Sequence, residues 1–127
     1  MNGLSAALAR RMMLLLPLCA AAVTPAMAQG QQDFTLVNRT GYEIRELYVG
    51  PSRSSNWGRD ILGEGVLPAN QRRDIRFSSG TRDCAYDIKV VYSDDDTAEW
   101  GNLDLCKISR VSLFWDATRQ VSRAEVE

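Results

Sequence analysis

Any chemistry in this chain has to come from carboxylates, arginines, tryptophans and cysteines, because the sequence contains no histidine. The side chain that most often supplies a general base near neutral pH is therefore missing. Acid–base work would fall to a pair of carboxyl groups, as in glycosidases. Asp60 and Glu64, separated by Ile61-Leu62-Gly63, are available for it. One of them would need a raised pKa, and that requires burial. The plainer reading has both capping backbone groups or facing solvent. A carboxylate-dependent enzyme of unknown reaction is therefore the secondary expectation.

A hard cation such as calcium takes six to eight oxygen ligands. Asp94-Asp95-Asp96, followed by Glu99, is the acidic run that could contribute them. It lacks the glycine and distal glutamate of an EF-hand loop, and consecutive residues at a hairpin tip point apart. The expectation is a solvated turn, with no metal and no other cofactor.

Trp57 is flanked by Arg53 and Arg59, with Asp60 next in the chain. Two guanidinium groups beside an indole could hold a carboxylate or phosphate. The competing reading makes Trp57 a plug at the end of the fold. We expect the plug, with Arg53, Arg59 and Asp60 at its rim as contact residues. Trp100 and Trp115 occupy inward-facing strand positions and are expected in the core.

Cys84 and Cys106 lie equally far from Asp95. The residues between them read as a hairpin, with Tyr86, Ile88, Val90 and Tyr92 alternating against Asp87 and Lys89. Unbroken pairing about Asp95 sets Val90 opposite Trp100 but Ile88 opposite Asn102, a poor core partner. A bulge at Gly101 slips the register and turns Leu103 and Leu105 inward. The cysteines are then diagonal and within reach of a disulfide. Bonding them removes the thiolate nucleophile and restricts the unfolded chain, worth roughly 3 kcal/mol for a loop of this size.

The elements that must position these residues follow a targeting segment. Arg10-Arg11 precede an apolar run from Met12 to Leu18, continued by Ala20 to Val23, and Ala26-Met27-Ala28 is a small-x-small cleavage site. The segment spans residues 1–28, and the mature chain begins at Gln29. The apolar run is shorter than the roughly 20 residues of a membrane span. Arg10-Arg11 resembles a twin-arginine signal, yet it also reads as ordinary leader charge. Cys19 leaves with the leader. Two of the fifteen basic residues and none of the sixteen acidic ones fall there, so the mature charge is −3. Nothing suggests a basic stripe for nucleic acid, nor stable membrane insertion of the mature chain. An even pair of cysteines in a small exported domain reads as a disulfide framework. The setting is periplasmic or secreted.

In the mature chain, Phe34 to Asn38 and Tyr42 to Val49 read as two strands joined into a hairpin at Asn38-Arg39-Thr40-Gly41, with a bulge near Glu46. Gly50 to Gly65 is a long loop, and loops of that length are often functional. Ile61-Leu62 is expected to form one short strand or a helical turn. Gln71 to Phe77 is a further strand and Ser109 to Trp115 the last. The tail, residues 117–127, is charged and expected to be weakly helical or frayed. Short strands with turn signals between them imply an all-β domain over residues 29–116. The expected form is a small antiparallel β-sandwich, immunoglobulin-like, of six or seven strands. A small Greek-key barrel is the alternative.

The order Asp33-Phe34-Thr35-Leu36-Val37-Asn38-Arg39-Thr40-Gly41-Tyr42, then Leu47-Tyr48-Val49-Gly50-Pro51-Ser52, then Asn56-Trp57-Gly58-Arg59-Asp60-Ile61-Leu62-Gly63, resembles a family of small exported bacterial proteins of unassigned function. Cys84-Ala85-Tyr86-Asp87-Ile88-Lys89 and Asn102-Leu103-Asp104-Leu105-Cys106 continue the resemblance. Members sometimes carry labels such as Tat pathway signal protein or argininosuccinate lyase. The resemblance implies a Gram-negative, periplasmic setting and brings no active-site residues. The lyase label is misapplied, since that enzyme family is long, all-helical, cytosolic and tetrameric, with histidine and serine chemistry.

The composite expectation is a binding or interaction module for a periplasmic protein or small ligand. A carboxylate enzyme and a structural envelope protein are the alternatives. A pocket lined by Asp60, Glu64 and further carboxylates would favour the enzyme, and an aromatic-basic surface would favour binding.

Overall fold

Alternation of apolar and polar side chains specifies most of the strands. In the computed structural model, which describes residues 30–127, they are β1 (Phe34–Asn38), β2 (Ile44–Pro51), β3 (Arg72–Ile75), β4 (Ala85–Tyr92), β5 (Thr97–Asp104), β6 (Arg110–Asp116) and β7 (Val121–Val126). The leader, its cleavage site and Cys19 lie outside the described residues. No helix among the described residues is long and apolar enough to cross a membrane.

The strands form two sheets, ordered β3-β1-β6-β7 and β2-β4-β5. Leu36, Val111 and Leu113 of the first sheet and Ile44, Leu47, Ile88 and Val90 of the second are fully buried in one core. The architecture is a seven-stranded β-sandwich, not closed into a barrel. It departs from the antiparallel expectation at one place. β1 runs parallel to β6, with Leu36 beside Val111, so the four-stranded sheet is mixed.

β1 and β2 do not form the expected hairpin, for they lie in different sheets. Asn38 is the physical reason. Its side chain is wholly buried. Its Nδ2 lies within hydrogen-bonding distance of the carbonyls of Tyr42, Leu67 and Pro68, at 2.8, 3.0 and 3.1 Å. Its Oδ1 accepts from the Thr40 amide and hydroxyl. These bonds bend the chain across the sandwich as an arch, and Gly41 supplies the positive φ of 82° the arch requires. The Arg39 amide donates to the Leu113 carbonyl at 2.9 Å, keeping the end of β1 on β6.

The β4–β5 hairpin forms, but its centre lies nearer Asp94 than Asp95. Val90 pairs with Ala98, and Trp100 faces Ile88 rather than Val90. The turn is tightened by Asp95 donating to the Tyr92 carbonyl at 2.9 Å, with Asp95 itself at φ 71°. The bulge at Gly101 is present: the register shifts between Tyr86 and Ile88, and Asp87 Oδ1 accepts from the Asn102 amide at 2.9 Å. Leu103 and Leu105 turn inward and are buried. Cys84 and Cys106 are bonded, with Cα atoms 5.1 Å apart. The second expected bulge lies between Ile44 and Glu46 in β2.

The tail is neither helical nor frayed. Val121–Val126 is a full strand paired antiparallel with β6, so the domain runs past residue 116. Its other edge is tied to the facing sheet. Trp100 Nε1 donates to the Arg123 carbonyl at 2.9 Å, and Ser122 Oγ donates to the Glu99 carbonyl at 2.7 Å. Trp100 is buried, as expected, whereas Trp115 is only partly buried and stacks on Tyr92 at 5.9 Å between ring centres.

Candidate functional site

The long loop after β2 contains most of the sequence-derived candidates, and the structure gives them structural work. Asp60 Oδ1 accepts from the amides of Leu47 and Leu62, at 2.9 and 3.0 Å. It caps the turn at Ile61 and pins that turn to β2. Glu64 is exposed, and neither residue lines any of the three depressions described below. Arg53 makes a two-point ion pair with Asp83, at 2.8 and 3.0 Å. That bond holds the Asp83 carboxyl below its usual pKa and raises that of the guanidinium. Trp57 is partly buried over Gly50, where an added Cβ would stand 3.6 Å from the indole. It covers the backbone of β2 and is not among the side chains packed on the core. Arg59 is exposed. None of the three depressions described below is lined by Arg53, Trp57, Arg59 or Asp60.

The acidic turn is likewise accounted for. Asp94 Oδ1 accepts from the Asp96 amide at 3.0 Å, and Asp95 pairs with Arg45 at 2.7 Å. Among the described residues, the one group with metal-like spacing is Cys84, Asp104 and Cys106. Both of its sulfurs are in the disulfide and offer no thiolate.

The arrangement with free binding capacity lies elsewhere, on the outer face of the four-stranded sheet. Three shallow depressions mark that sheet. The first, lined by Asp33, Thr35 and Asp74, is satisfied internally. Asp33 accepts from the amides of Phe77 and Gly30, and Thr35 donates to Asp74 at 2.8 Å.

The second is a groove of about 300 Å³ lined by Val37, Arg39, Asn70, Gln71, Arg72 and Arg110, with no carboxylate in its wall. Sheet order builds it. Val37 sits in β1 opposite Arg72 of β3, and Arg110 of β6 lies one step along, beside Thr35. Asn38 secures its rim. The Asn38 amide donates to the Gln71 carbonyl at 2.9 Å, and the Asn70 amide donates to the Asn38 carbonyl at 2.7 Å. Arg110 reaches Glu127 at 3.5 Å, while Arg39 and Arg72 form no ion pair among the described residues. Unpaired arginines are common on surfaces, and Arg59, Arg73 and Arg82 also form no ion pair among the described residues, but none of those three lines one of these three depressions.

The third is a groove of about 310 Å³ lined by Arg39, Phe114, Trp115, Asp116, Arg119, Val121 and Arg123. Arg39 belongs to both grooves, so they adjoin there. Here two of the three basic groups are already matched. Arg123 meets Glu125 at 2.6 Å and lies 4.1 Å over the Phe114 ring, and Arg119 faces Asp116 at 3.9 Å. Val121 is 54 % exposed.

Sequence reasoning missed this face because Arg39, Arg72 and Arg110 are far apart along the chain. Only the order β3-β1-β6 unites them. The outward parity of Arg72 was readable from its strand, but the strand's neighbours were not.

Fold and face together define a small β-sandwich with an arginine-lined outer surface. Searches against protein-family models, curated proteins and solved structures each return no match.

Proposed function

We propose that this chain is an exported binding module that recognises an anionic group at the groove lined by Arg39, Arg72 and Arg110. The proposal includes cleavage after Ala28, a periplasmic location and membership of the small exported family it resembles. One observation carries the binding reading: three arginines and two carboxamides line a single groove whose wall contains no carboxylate. Guanidinium groups match carboxylate and phosphate geometry in two-point contacts. The mature chain carries a net charge of −3, so this local excess of positive charge runs against its overall sign. A carboxylate enzyme finds no support at Asp60, whose Oδ1 is bonded to two backbone amides.

The test is titration of the purified protein with inorganic phosphate, followed by amide NMR. Shifts should cluster at Asn70, Gln71, Arg72 and Val37 and weaken with added chloride, because exposed charge pairs are screened. Arg72→Ala should abolish them. Absence of localised shifts in the wild-type protein would sink the reading. Export is checked separately, by intact mass of the protein from its native host. A chain beginning at Met1 in the cytoplasm would end that part.

A further inference from the structure

Resting on that reading, we infer that the ligand is an anionic amphiphile: a phosphate or carboxylate head on a hydrocarbon or flat-ring body. The argument is the contrast between two adjoining grooves. In the first, Arg39 and Arg72 have no carboxylate partner among the described residues. In the second, Arg119 and Arg123 are matched by Asp116 and Glu125. Two of the three arginines of the second groove are thus matched, Arg39 being the third, and the groove offers Phe114, Trp115 and Val121 as apolar lining.

Trp115 lines the groove and stacks on Tyr92, at 5.9 Å between ring centres. Arg123 covers the Phe114 ring at 4.1 Å, and its flat guanidinium adds a weakly hydrated surface. Arg39, common to both linings, marks the point where head would give way to body. A free anion would use only the first groove, and a neutral apolar molecule only the second. A ligand with both parts joined uses the face completely. Each groove has about the least volume expected of a small-molecule pocket, so one groove alone holds a small group and the two together a larger one.

Three probes separate the outcomes: inorganic phosphate, octyl phosphate below its micelle-forming concentration, and octyl glucoside, which has the same tail on a neutral head. Calorimetric titration should give octyl phosphate at least ten-fold tighter binding than inorganic phosphate, with octyl glucoside weaker than both. Val121→Asp, an exposed substitution, should remove the ten-fold gain and leave phosphate binding intact. Equal affinity for phosphate and octyl phosphate overturns the amphiphile while leaving the anion reading standing. Equal affinity for octyl phosphate and octyl glucoside overturns it as well, because the head then contributes nothing. No binding of any probe overturns both. Unchanged gain in Val121→Asp overturns the placement of the body. Co-sedimentation with phosphatidylglycerol vesicles, against phosphatidylcholine vesicles, tells a bilayer source of the amphiphile from a free one.

Discussion

The indole nitrogen of Trp100 donates to the backbone carbonyl of Arg123 at 2.9 Å, joining the β5 edge of one sheet to the β7 edge of the other. Trp100 is only 5 % exposed. Its ring fills the core while its polar atom satisfies a carbonyl on the edge strand. Trp100→Phe keeps most of the packing and removes the donor. It should cost about 1–2 kcal/mol, as for losing a part-buried hydrogen bond. Amide exchange should rise in β7 more than in β4. Uniform exchange change across both strands would show that the bond does not hold the seam.

Asn38 is the other polar centre, and it leads to a pH-dependent prediction. Asn38→Ala removes the Nδ2 donor within reach of the carbonyls of Tyr42, Leu67 and Pro68, and the Oδ1 acceptor of the Thr40 amide and hydroxyl. A loss of about 3 kcal/mol is expected, lowering Tm by more than about 10 °C in a domain of this size. Asn38→Asp keeps the shape but places an ionised carboxylate against those oxygens. Burial and repulsion raise the folded-state pKa of the introduced carboxyl above its unfolded value. The native state then holds more protons than the unfolded state between the two pKa values, so the variant loses stability as pH rises. Relative to wild type, its deficit should be smallest near about pH 4 and larger at pH 7. Denaturant unfolding at both values decides it, and an equal deficit at both would refute the account.

How far the sequence led depended on whether the signal was local. Tyr86, Ile88, Val90 and Tyr92 alternate, and all four are buried in β4. The bulge at Gly101 followed from asking which residues could face Ile88 and Tyr86, and it is present. The hairpin centre was missed by one residue because three consecutive aspartates offer equivalent turn positions. The arch at Asn38 was missed for a different reason. Asn and Gly mark a turn of the chain but not whether it returns in the same sheet. That depends on Leu67 and Pro68, distant in sequence. The β7 strand was hidden because its anchoring comes from pairing with β6 and from hydrogen bonds with Trp100 and Glu99 of another sheet, not from its own weak pattern. The candidate face was hidden most completely, since its three arginines meet only through sheet order.

Trp57 and Trp100 can be ranked directly. Trp100 is in the core cluster, whereas Trp57 covers Gly50 from outside it. Trp100→Ala should cost about 3–5 kcal/mol, as for a large aromatic in a core. Trp57→Ala should cost clearly less, since a partly exposed side chain has less apolar area to lose. Thermal unfolding of the two variants is the comparison, and equal or reversed losses would restore Trp57 as a plug.

The Arg53–Asp83 pair joins the loop after β2 to the loop before β4. Hydrogen bonding from Arg53 holds the Asp83 carboxyl below its ordinary pKa. A depressed carboxylate contributes stability above its unfolded pKa and loses it as pH falls through the folded one. Both groups are solvent-accessible, so the contribution to stability is small. The clearer readout is the titration of Asp83 itself. In Arg53→Ala, its carboxyl carbon should titrate at higher pH than in wild type. An unchanged midpoint would show that the bond is not kept in solution.

The last prediction sets the two candidate surfaces against each other. Arg39 lines both grooves of the four-stranded sheet and has no carboxylate partner among the described residues. Arg59 belongs to the long loop, is exposed, and lines neither groove. A hydrogen bond to a charged group is worth about 1.5–3 kcal/mol, and roughly 1.4 kcal/mol is a factor of ten in affinity. Arg39→Ala should therefore weaken phosphate binding about ten-fold, the lower end being apt for an open groove. Arg59→Ala should leave it unchanged. Neither side chain is buried, so both variants should unfold close to wild type, and an affinity change can be read as a lost contact. Loss of binding in Arg59→Ala alone would move the site back to the loop around Trp57. Loss in Arg39→Ala alone would fix it on the sheet face, where β1, β3 and β6 bring the arginines together.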